Sequence, residues 1–265
     1  MRSIYLFLGL FATTACQNNT QPLQKASTIT TPVVATKSNN PIVDKFGSKQ
    51  ILVVKTANAT TIQGNLCAFE WDDKAGAWQP LTDYISIVVG GKGLAWGVGL
   101  QDELFNQPPL KKEGDMKSPA GLFYLSSLFG YQPEKAVGSL KMPYFQADSS
   151  IFCVDDGRSK YYNQIVDIDT LKKDWQSAEN MLLDKIYYKY GAVVDYNYPN
   201  PEAGHGSCIF IHIWQDNQHG TAGCTAMPED KMKNLLQLLD KTKRPLLVQA
   251  TVRDYEALKK YYGLP

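Results

Sequence analysis

All three histidines of the chain fall between positions 205 and 219, and two of its five cysteines lie among or just beyond them. The segment runs His205-Gly206-Ser207-Cys208-Ile209-Phe210-Ile211-His212-Ile213-Trp214, and after Gln215 to Gly220 it continues Thr221-Ala222-Gly223-Cys224. A thiol beside an imidazole is equipped for covalent acyl transfer: the sulfur attacks a carbonyl, the ring takes and returns a proton, and backbone N–H groups hold the oxyanion. Cys224 is the candidate nucleophile and His212 the candidate base. The alternatives are a packed strand histidine and a small buried thiol. A metal site is the chemical rival, since His205, Cys208, His212, His219 and Cys224 are all ligand types. No CxxC or HExxH spacing supports it, and no metal is expected.

The elements around these residues can be read from periodicity. Ile209, Ile211 and Ile213 alternate with Phe210, His212 and Trp214, which predicts a strand with the isoleucines on one face and His212 on the other. Cys208 then shares the His212 face, but four extended residues put the two about 13 Å apart. A hairpin-like loop through Asp216 to Gly220 would return Cys224 to His212, with Gly223 supplying a tight turn. Pro228, Glu229 and Asp230 open a helix whose apolar positions are Met232, Leu235, Leu236 and Leu239. Its N-terminal dipole would favour a thiolate at Cys224.

Upstream, short β-prone runs dominate: Ile51 to Lys55, Ile62 to Glu70, Tyr84 to Gly90, Gly121 to Phe129 and Ala192 to Tyr198. Leu246 to Val252 adds another, and a second helix is predicted over Trp175 to Tyr188. The fold class is therefore mainly β with a few helices.

Two blocks in order carry a family resemblance. His212 followed by Thr221-Ala222-Gly223-Cys224 resembles the signature of the YkuD-type (ErfK/YbiS-like) L,D-transpeptidase catalytic domain. Lys112-Glu113-Gly114, followed by Ser118-Pro119-Ala120-Gly121-Leu122-Phe123, resembles its earlier block. The likeness covers roughly residues 50 to 250 and implies a YkuD-like β-rich catalytic domain. It implies that Cys224 attacks the tetrapeptide stem of peptidoglycan, releases the terminal D-amino acid, and yields the acyl group to a second amine. Gly223 would contribute to the turn and the oxyanion backbone, and Trp214, Ser207, Thr221 and Lys112 would line the substrate site. Ala222 stands where many members carry His, and Ala226 where many carry Arg or Asn. The same thioester attacked by water would make a carboxypeptidase or another peptidoglycan hydrolase, and a non-catalytic wall-binding lipoprotein is the third reading. No cofactor is implied.

The ends of the chain add location. Arg2 and the apolar run Ile4 to Ala12 resemble a secretion signal, and Thr13-Thr14-Ala15-Cys16 resembles a lipobox, which predicts an exported protein lipid-anchored through Cys16 at the envelope or periplasm. Residues 17–46, rich in Gln, Asn, Thr, Ser and Pro, read as a tether, residues 47–252 as the catalytic domain, and 253–265 as a helical tail. A formal net charge of +1 without a basic run excludes nucleic acid as an electrostatically chosen partner. Export permits a disulfide, but the pairing of Cys67, Cys153 and Cys208 cannot be read from spacing.

Overall fold

The computed structural model describes residues 38–183 and 185–265. The expected secretion signal, Cys16 and residues 17–37 of the expected tether lie outside the described residues. Six strands make up the first half: β1 Gln50–Thr56, β2 Gln63–Asp72, β3 Ala77–Pro80, β4 Ile85–Val88, β5 Leu94–Trp96 and β6 Ser118–Gly130. The remainder are β7 Tyr144–Gln146, β8 Ile151–Val154, β9 Ile165–Asp167, β10 Ala178–Asn180, β11 Tyr190–Val194, β12 Phe210–Ile213, β13 Thr225–Met227 and β14 Leu246–Thr251. Helices are few: α1 Pro41–Phe46, α2 Glu134–Val137, α3 Glu229–Leu238 and α4 Val252–Tyr262.

An 11-stranded sheet carries the path β1-β14-β6-β11-β12-β13-β4-β2-β3, and β1 also pairs with β2. The path from β1 round to β2 therefore closes into a barrel-like ring, which leaves few open edges. Both faces of β1 are covered. Leu52 and Val54 enter the main core beside Met232, Leu235 and Leu236 of α3, while Ile51 and Val53 face Tyr255, Leu258 and Tyr262 of α4. That two-sided burial is why the strand reads as an unbroken apolar run rather than an alternating one.

Three boundaries differ from the sequence reading. Residues 41–46 are not tether: Asn40 caps α1, its side-chain oxygen accepting from Ile42 N, and Ile42 and Phe46 are buried against α4. Residues 253–265 are helical, as expected, but they pack as part of the domain rather than trailing from it. Thr251 caps α4, and the Gly263 carbonyl accepts from both Asn40 and Trp78, so the terminus closes the second core. The third difference is the helix expected over Trp175 to Tyr188. There the chain forms β10, which pairs with β8 (Glu179 opposite Cys153), and a single 3-10 turn, Ile186–Tyr188. Strand pairing and burial of Met181 override the helical periodicity.

Candidate active site

The β12–β13 pair places the two chemical residues. These strands run parallel, with His212 in register with Ala226, so the expected hairpin is instead a crossover through residues 214–224. Asp216 Oδ1 shapes the crossover by accepting from Gln218 N and His219 N. Its return is pinned by Thr221, whose N–H donates to Val89 O and whose carbonyl accepts from Gly91 N. A side chain at Gly220 would put a Cβ 2.5 Å from Gly91 Cα, so only glycine lets the crossover pass there.

Cys224 and His212 line one cavity of about 340 Å³. As the alternation predicted, Ile209, Ile211 and Ile213 enter the main core, while Phe210 joins Cys224 and Tyr188 on the other side. The sulfur accepts from Phe210 N at 3.3 Å and donates to Cys208 O at 3.7 Å. His212 Nδ1 lies 2.8 Å from Ile213 O. A carbonyl only accepts, so Nδ1 carries the proton and Nε2 keeps its lone pair. Tyr188 stands against both groups: its ring meets the imidazole edge-on at 5.2 Å, and its hydroxyl lies beside the Cys224 sulfur.

Burial keeps both groups neutral. Desolvation lowers His212 to about 4. It raises Cys224 to about 12, and the Glu179 carboxylate adds to the rise. The expected thiolate at a helix N-terminus is therefore corrected. Strand β13 and Pro228 separate Cys224 from α3, and the effect of a helix terminus fades within its first turn.

The remaining expected site residues divide. Trp214 and Ser207 line the cavity, and Ser207 Oγ donates to Glu113. Thr221 lines it too, but its hydroxyl donates to Cys224 O and accepts from Gly223 N, which makes it a brace for the nucleophile's backbone. The Gly223 N–H is thereby engaged and not free for an oxyanion. Gly223 has no left-handed φ, and its contribution is a close approach: a Cβ there would sit 3.3 Å from both Lys117 O and Ile209 Cδ1, a tight contact that its neighbours would have to yield to. Lys112 is exposed, and Lys111 enters the cavity instead, with its ammonium paired to Asp115 at 2.7 Å.

Cys208 is neither a strand residue nor a free thiol. It precedes β12 with a φ of 55° and is bonded to Cys153, while Cys67 and Cys224 remain free. The bond ties the small sheet β10-β8-β9 to the entry of the His212 strand. Across a sequence separation of 55 residues, such a link restricts the unfolded chain by about 4 kcal/mol. Replacing both Cys153 and Cys208 with Ser is expected to lower the denaturant midpoint accordingly in urea unfolding. An unchanged midpoint would show that the link stabilises nothing.

Sequence reasoning missed Tyr188, Glu179 and Asp155, all on the cavity wall. They lie outside the His/Cys block: the small sheet brings Glu179 and Asp155 to it, and the 3-10 turn Ile186–Tyr188 sets Tyr188 against β12, so spacing held no signal for them. The family model of the L,D-transpeptidase catalytic domain (YkuD) matches residues 70–248. That span contains the whole cavity lining. No curated protein and no solved structure matches the chain.

Proposed function

The chain belongs to the L,D-transpeptidase catalytic-domain family, and from that premise we propose that it acts on peptidoglycan stem peptides through a thioester on Cys224. The observation that carries this reading is a buried thiol and a tautomer-fixed imidazole in one cavity. With Nδ1–H held by Ile213 O, the Nε2 lone pair is the available base. Attack forms the sulfur–carbon bond as the thiol proton passes to Nε2, and the carbonyl π electrons move onto oxygen. Collapse of that adduct expels the amine of the terminal D-amino acid, which takes the proton from the imidazolium. A second amine, or water, then resolves the thioester.

Support for a peptide substrate also comes from the shape of the opening. Trp214 and Tyr187 offer ring surface on the cavity wall, while Lys111 and Glu113 offer opposite charges. Together they can bind a chain that alternates apolar, amine and carboxylate groups. On the secretion-signal reading of the first sixteen residues, the reaction takes place outside the cytoplasm.

Incubation with purified muropeptides followed by mass spectrometry tests the proposal. Cross-linked dimers that have lost one D-amino acid are the expected product. Shortened monomers alone would replace the transferase reading with a hydrolase. Unchanged muropeptides would remove the substrate assignment.

A further inference from the structure

Three features of the cavity wall have no part in the chemistry above: the buried Tyr188, the carboxylate of Glu179, and the disulfide behind them. They form a circuit around the nucleophile. The Tyr188 hydroxyl donates to Glu179 Oε1 and lies beside the Cys224 sulfur. Glu179 sits on β10 opposite Cys153, Cys153 is bonded to Cys208, and the Cys208 carbonyl accepts from the Cys224 thiol. The carboxylate is thus held at a fixed distance from the sulfur along two routes. The same tyrosine ring packs edge-on against His212 at 5.2 Å and against Phe210 at 5.6 Å.

We propose that Glu179, acting through Tyr188, is a positioning residue for charge: it keeps Cys224 a thiol at rest and supports the His212 imidazolium when the thiol attacks. The inference rests on the assignment of Cys224 and His212 as nucleophile and base.

The physical reason is the sign of the fixed charge. A negative carboxylate in a poorly hydrated wall repels a thiolate and attracts an imidazolium. In the resting site both reacting groups are neutral, so the carboxylate opposes early ionisation of the sulfur. During attack the sulfur's new electron pair goes into the bond to carbon, so no thiolate remains to be repelled. The proton then resides on His212, where the same carboxylate is a favourable neighbour. Timing follows from this: the proton leaves sulfur only when a carbonyl is present to take the sulfur's electrons.

Other charges facing the pair are few. Asp155, whose Oδ1 is buried without a hydrogen-bond partner, adds negative charge beside Glu179. Lys111 stands toward Cys224 and lowers its proton affinity, but its charge is balanced by Asp115. The Tyr131 hydroxyl accepts from Tyr188 N and fixes the backbone behind the ring. Burial raises the proton affinity of Glu179 itself, and the Tyr188 hydrogen bond opposes that rise.

Glu179→Gln is the sharpest test, because the amide oxygen can still accept from Tyr188 while the charge is removed. The pH dependence of Cys224 alkylation by iodoacetamide on the full chain, read by mass of the Cys224 peptide so that the free Cys67 is counted apart, needs no peptidoglycan substrate. The expected result is a midpoint shifted down by about one pH unit, which makes alkylation near neutral pH about tenfold faster. Acyl-enzyme formation should meanwhile slow about tenfold with KM little changed. A merely structural role would alter alkylation at every pH without moving its midpoint. An unmoved or raised midpoint overturns the inference. Tyr188→Phe provides the second arm, keeping the ring but breaking the link to the carboxylate. Its acylation rate should fall, and the double variant should fall no further than the worse single variant. Wild-type acylation in Tyr188→Phe, or fully additive losses in the double variant, also overturns it. A shifted midpoint in a protein that leaves muropeptides unchanged would uphold the charge effect while removing the substrate assignment.

Discussion

Cys224→Ser is expected to abolish the covalent adduct with a carbapenem, the acylating agent that the family suggests, and to lower turnover by about 10⁴-fold or more. The reason lies in how weak the base is. Burial holds His212 near 4, far from the range needed to take a proton from an aliphatic hydroxyl. A thiol is more acidic and its sulfur more polarisable, so it can react with a weak base that a hydroxyl cannot use. Serine would keep the hydrogen bond from Phe210 N and disturb the packing little. The loss should therefore appear as an intact, stable protein that gains no mass. The Cys153→Ser/Cys208→Ser protein provides the contrast, since both residues are already spent on a disulfide. It should still form the adduct, with reduced stability. An adduct that survives Cys224→Ser and vanishes in the disulfide variant would overturn the assignment of the nucleophile.

The contrast between those two cysteines marks where the sequence was legible. Alternation from Ile209 to Trp214 was enough to place His212 opposite the isoleucines, because a strand buried on both faces must sort its side chains by parity. The apolar spacing from Met232 to Leu239 likewise defined α3, whose inward face fills the main core. Both are local patterns that tertiary contacts reinforce.

What could not be read depends on contacts between distant segments. Trp175 to Tyr188 carries helical spacing, but β8 offers a strand partner, and pairing of Glu179 with Cys153 decides its form. The same pairing delivers Glu179 to the nucleophile and sets up the disulfide, so one misread element hid three features of the site. Lys111 and Lys112 differ by a single position, and which of them turned inward was decided by the buried ion pair with Asp115. Thr221 matched the family signature, yet its hydroxyl is consumed by the backbone around Cys224. A motif identifies the residue type required and leaves open which bond requires it.

His212→Ala is expected to leave the fold intact and to slow turnover by about 10²-fold or more, the scale of a lost general base. His219→Ala should retain most activity. That ring is exposed at the cavity rim, and its Nδ1 is paired with Asp216 of the same loop at 2.8 Å. The pH dependence separates the two further. A base held at about 4 is already unprotonated at neutral pH, so the fall in kcat/KM that belongs to His212 should appear only near pH 4, below the shallower step, about tenfold at most, that comes as Glu179 takes its own proton. Stability carries the same signature with a definite sign. The unfolded chain's His212 titrates near 6.5, above its folded value of about 4. Between those two values the unfolded state binds more protons, so stability rises with pH across the window and is lost as pH falls through it. The full span is worth about 3 kcal/mol. His212→Ala begins less stable at pH 7 because it leaves a cavity, but it lacks this titration. Its urea midpoint should therefore decline less between pH 6.5 and 4 than that of the unsubstituted protein. Parallel declines in the two proteins would show that burial does not hold His212 unprotonated, and greater loss of turnover in His219→Ala than in His212→Ala would show that the buried imidazole is not the base.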